Sequence, residues 1–225
     1  MRQQKIYLTS RGLNTKLGRR IIGTALSDCD KSGRILMITI GEYGINEILR
    51  DAAMELGFLS ENIVVYDGDE YRKIDTDFDY IYVGEGNTFQ ILDMMKSHGL
   101  IEKIHAAVDA GASYIGSSAG AMIAGTDILL AQDFDRNFVG MTDFQALGLF
   151  RGTIIPHYTK EDLSCYFSRT SEELIGHYEE IYSVGNGDEE NETGIVILDI
   201  YSYFTKEGNN VSGSARRSID RKLYI

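Results

Sequence analysis

The chain has 225 residues, 43% of them hydrophobic, enough for one sizeable core, and it reads as a single domain over 1–225. A formal net charge of −12 argues against a nucleic-acid binder, which needs clustered Lys and Arg to displace counterions, and the one basic cluster, Arg216, Arg217, Arg221 and Lys222, reads as solvated surface. Cys29 and Cys165 lack the number and spacing for a disulfide framework or a zinc site, residues 1–10 lack a secretion signal, and no apolar run approaches the roughly 18 residues of a membrane span. The expectation is a cytoplasmic protein, monomer or homodimer, with no cofactor, no metal, no nucleic acid and no membrane among its partners.

In chain order, residues 5–9, 34–40, 62–66, 79–84 and 113–116 are short β-rich runs, several almost continuously apolar, as strands covered on both faces must be. Between them, 17–26 and 45–56 carry apolar residues at helical spacing, and 89–108 reads as two helices broken near Gly99. Alternating strands and helices joined by right-handed crossovers predict an α/β fold: a doubly wound, mostly parallel sheet flanked by helices, with its sites beyond the carboxyl ends of the strands. A helical pattern at 163–178 follows, then β-like runs at 180–184, 194–200, 201–205 and 222–225, which predict a small antiparallel C-terminal addition.

The most informative stretch is Ile115-Gly116-Ser117-Ser118-Ala119-Gly120-Ala121, an apolar strand running into a Gly-x-Ser-x-Gly turn and a small-residue helix start. This is the pattern of a nucleophile elbow, with glycines leaving room for a strained backbone and the Ala119 N–H standing at a helix N-terminus as an oxyanion donor. The same five residues also suit a plain strand-to-helix turn with a capping serine, so the other residues must decide. A serine nucleophile needs a base, and of four histidines, His98, His105 and His177 lie in helical patterns and read as structural. His157 instead follows the β-run 152–155 and the single proline, Pro156, at the end of a candidate strand. A third group orients the base. The loop 186–192 carries Asp188, Glu189, Glu190 and Glu192, one of which is the candidate; Glu192 best fits the spacing from His157 and to the run 195–198, whereas Asp188 and Glu189 lie nearer the preceding strand.

Three ordered blocks carry a family resemblance: Val83-Gly84-Glu85-Gly86-Asn87-Thr88-Phe89-Gln90, Tyr114 to Ala121, and Phe144-Gln145-Ala146-Leu147 leading to Ile155-Pro156-His157-Tyr158. Together they resemble the peptidase E family, aspartyl dipeptidases related to cyanophycinases. The resemblance implies a class I glutamine amidotransferase-like (flavodoxin-like) fold and a Ser-His-Glu triad in that chain order, matching Ser118, His157 and Glu192. It also implies an oxyanion hole completed by the N–H of Gly86 beside Ala119, and hydrolysis of short peptides, including dipeptides with N-terminal Asp. Two departures stand out. Glu85 interrupts what the family writes as three glycines, and a carboxylate there must turn away from the oxyanion or bind something, such as a substrate's α-ammonium. The family's Arg-bearing segment after the histidine is represented only by Phe167 to Glu172, where Arg169 is the candidate cation. The alternative is a catalytically silent relative that binds a small peptide or metabolite in the same cleft.

Overall fold

Strands with apolar side chains on both faces occupy the middle of the molecule, since only a sheet sandwiched between helices buries them all. The computed structural model describes residues 5–40, 44–69, 73–158, 181–185 and 195–199. In chain order the elements are β1 (Lys5–Thr9), α1 (Lys16–Ala25), β2 (Ile35–Ile38), α2 (Ile45–Glu55), β3 (Ile63–Tyr66), β4 (Tyr80–Val83), α3 (Thr88–Ser97), α4 (Leu100–Asp109), β5 (Ser113–Ser117), α5 (Ala119–Ile123), β6 (Thr153–Tyr158), β7 (Ile181–Gly185) and β8 (Ile195–Asp199). The main sheet has the order β3-β2-β4-β5-β1-β8; its first five strands are parallel and β8 runs antiparallel to β1.

The alternation of side chains along each strand divides the core. Tyr7, Met37, Tyr82 and Ile115 face α1 and α2, while Leu8, Ile38, Val83 and Tyr114 face α3, α4 and α5. Adjacent strands β2 and β4 therefore send their following helices to opposite faces, and so do β1 and β5. Each such junction opens a crevice at the carboxyl edge. Local chemistry sets the helix ends. Thr15 Oγ1 accepts from the Gly18 N–H at 3.0 Å at the start of α1, and Gly99, at φ 63°, makes the left-handed break between α3 and α4.

The doubly wound sheet and the antiparallel addition of β8 agree with the expected fold. One part of the C-terminal reading is corrected: β7 pairs with β6 in parallel, in a separate two-stranded sheet, a pairing that the alternation within each run does not specify. The expected helix 163–178 and the runs 201–205 and 222–225 lie outside the described residues. Among those described, no helix is long and apolar enough to cross a membrane.

Candidate active site

Ser118 stands between β5 and α5 with φ 52° and ψ −109°, a conformation that side-chain-bearing residues rarely adopt. Both flanking glycines are required by close approach. A Cβ on Gly116 would lie 2.5 Å from the Gly120 carbonyl oxygen, and one on Gly120 would be driven into the Val83 carbonyl oxygen of β4. The turn is tied on three sides: the Ser118 N–H donates to Thr9 O at 2.8 Å, the Gly120 N–H donates to Gly84 O at 3.2 Å, and the buried Tyr114 hydroxyl donates to Gly120 O at 2.7 Å. Ser118 is thereby presented at the carboxyl edge of the sheet, in the crevice between β1 and β5.

His157 reaches it from β6. Its Nε2 lies 2.7 Å from Ser118 Oγ. Pro156 has no N–H to give, the β6–β7 register becomes irregular between Ile155 and Tyr158, and His157 adopts φ 60°. The His157 N–H donates instead to Ser10 Oγ at 2.8 Å. The end of β1 thus holds the serine through Thr9 and the histidine through Ser10. An imidazole nitrogen at this distance from a hydroxyl is placed to take its proton as the oxygen attacks.

The loop after β4 supplies the remaining edge. Gly86, at φ 140°, occupies a conformation open to glycine, and a Cβ there would meet Ile40 Cδ1 at 2.9 Å. Asn87 caps α3, its Oδ1 accepting from the Gln90 N–H at 3.1 Å. A neighbouring loop clamps this cap: Asp135 Oδ2 accepts from the Thr88 N–H at 2.8 Å and from the Thr88 hydroxyl at 2.6 Å, and Asn87 Nδ2 donates to Arg136 O at 2.9 Å. The N–H groups of Gly86 and Ala119 flank turns joined by the Gly120–Gly84 hydrogen bond, and among the described residues neither has a protein acceptor. Two such donors beside a serine can stabilise an oxyanion.

The family model of peptidase family S51 matches residues 44–190, which include Gly86, Ser118 and His157. The chain belongs to peptidase family S51. It is 34% identical over 141 residues to Peptidase E of Haemophilus influenzae, covering 62% of each chain, and 41% identical over 99 residues to Peptidase E of Citrobacter koseri, covering 44% of this chain and 42% of that one. It spans about two fifths to three fifths of the length of the curated relatives it matches. The fold is shared with a solved peptidase from an acI-B1 Actinobacterium, at a TM-score of 0.60 and 16% identity over 88% of this chain and 84% of that one. It is also shared with a candidate peptidase E from Listeria monocytogenes, at 0.62 and 23% over 88% and 95%.

Within this S51 chain, Glu85 turns away from the oxyanion position. Its Oε1 accepts from the Gly12 N–H at 2.9 Å, fastening the loop after β4 to the loop after β1. His98 lies apart from the site, its Nδ1 2.6 Å from the buried Tyr66 hydroxyl. Glu192, its alternatives Asp188, Glu189 and Glu190, and Arg169 and His177 all lie outside the described residues. Thr9, Ser10 and Asp135 escaped the sequence reading. Thr9 and Ser10 end a strand without any motif, and Asp135 acts on Thr88 across 47 positions, beyond any local pattern.

Proposed function

We propose that this chain is a serine-type peptidase of short peptides. Ser118 Oγ attacks the scissile carbonyl carbon while His157 Nε2 takes its proton, and the oxyanion is held by the N–H groups of Gly86 and Ala119. The C–N bond then breaks, the imidazolium returns the proton to the leaving amine, and water hydrolyses the acyl-enzyme by the same route. The observation carrying this reading is the 2.7 Å contact between His157 Nε2 and a serine held at φ 52°. Backbone strain at a hydroxyl aimed at a base is expensive to keep for structural reasons alone.

Glu85 and the altered acidic loop are the two features that would fit a silent relative; the Glu85–Gly12 hydrogen bond turns that carboxylate away, and the acidic loop lies outside the described residues. A third member orienting His157 is proposed in Glu192. Preference for N-terminal aspartate is the finer proposal of the family resemblance; it depends on Arg169. An active-site serine probe applied to wild type and Ser118→Ala, with a dipeptide library that includes Asp-X members, tests the reading. Labelling and turnover confined to the wild type support it, and labelling that persists in Ser118→Ala ends it.

A further inference from the structure

The second crevice of the sheet, between the carboxyl ends of β2 and β4, holds a cavity of about 130 Å³. One water needs roughly 10–15 Å³ by this measure, so a chain of several heavy atoms fits. Ile40, Ile45 and Leu49 supply apolar lining; Asn14 and Glu85 supply polar lining; and Gly86 is shared with the proposed oxyanion hole. The cavity therefore adjoins the position of the scissile carbonyl.

Its charge is one-sided. Among the described residues Glu85 accepts one hydrogen bond, from Gly12, which leaves acceptor capacity on its carboxylate, and no Lys or Arg of them ion-pairs with it. Tyr82, also in the lining, accepts from the Leu13 N–H at 3.0 Å; burial, aided by the Glu85 carboxylate, pushes its phenol up to about 12, so it is neutral at physiological pH. Among the described residues, Glu85 is the charged one lining the space.

We propose that this cavity is a specificity subsite for a lysine-type side chain next to the scissile bond, its aliphatic stem against Ile40, Ile45 and Leu49 and its ammonium on Glu85. An acidic side chain at the same position meets like charge. The place of this subsite in a reaction rests on the serine-peptidase reading, but its preference for an ammonium is measurable without turnover.

Dipeptide amides carrying lysine, norleucine or aspartate on either side of the scissile bond test it, because norleucine keeps the stem and removes the ammonium. In the wild type, kcat/KM for lysine should exceed that for norleucine by about ten-fold or more, as for a hydrogen bond to a charged group. Glu85→Gln keeps an oxygen for the Gly12 N–H and should bring the ratio close to one. The same peptides titrated calorimetrically into Ser118→Ala should show lysine binding more tightly than norleucine, and Ser118→Ala/Glu85→Gln should lose the difference. Intact lysine-over-norleucine binding with no wild-type turnover sinks the peptidase reading and keeps the subsite. Equal treatment of lysine and norleucine on both sides of the scissile bond, a preference for aspartate over lysine on both sides, a preference for lysine that survives Glu85→Gln, or no binding of either peptide to Ser118→Ala overturns the subsite.

Discussion

Ser118 and His157 are the non-glycine residues at positive φ among those described, and such conformations cost on the order of 1–3 kcal/mol each. Bringing Oγ and Nε2 to 2.7 Å is what the surrounding hydrogen bonds enforce against that cost. In the proposed mechanism the two side chains act as a unit, so Ser118→Ala and His157→Ala should each lower turnover by about 10⁴ to 10⁶-fold, and the double mutant should lose little more. Steady-state kinetics of the three purified variants checks this, and multiplicative losses would point to another base. Ser10 Oγ holds the backbone N–H of His157. Ser10→Ala should therefore lower kcat by roughly ten- to a hundred-fold through misplacement of the ring, with KM nearly unchanged. A change in KM alone would assign Ser10 to binding.

At the scale of elements, the N-terminus of α3 is where the loop of the proposed oxyanion hole is anchored. Asp135 satisfies the Thr88 N–H and hydroxyl there and brings a negative charge to the positive end of the helix dipole. Asp135→Ala should cost about 1 kcal/mol of stability, the usual value of a lost cap. It should also depress kcat by more than that energy implies for folding, because Gly86 is loosened with it. Denaturant melts and kcat measured on the same preparation check both effects; a stability loss with unchanged kcat would make Asp135 a structural cap alone. The helices α1 to α4 and the break at Gly99 were legible from apolar spacing and glycine, since these are local signals. The Asp135 clamp was not, since its partner Thr88 lies 47 positions away in sequence.

For the whole molecule, the fully buried tyrosines of the sheet make its stability sensitive to alkali. Burial raises Tyr7, Tyr82 and Tyr114 above the ordinary value of 10.0, Tyr82 to about 12. A folded-state pKa above the unfolded one means that the contribution is complete below pH 10 and is lost as pH climbs toward and through about 12. Melting temperature should hold up to about pH 10 and then fall, and tyrosinate absorbance from these side chains should rise together with loss of tertiary circular dichroism. Smooth tyrosine titration in a protein that stays folded past pH 12 would contradict this.

The sequence by itself determined the order of strands and helices, the two-sided burial of the central strands, and the elbow at Ser118, because each is written in the spacing of neighbouring residues. It also singled out His157 by its place after Pro156, and marked Glu85 as a departure. Tertiary structure alone decided that Thr9 and Ser10 of β1 hold the serine and the histidine, that β7 joins β6 in parallel, and that Glu85 reaches Gly12 at the mouth of a second crevice. The physical reason is the same in each case: the partners are separated by 73 to 147 positions or belong to strands whose pairing no local pattern specifies, so only the folded sheet brings them together.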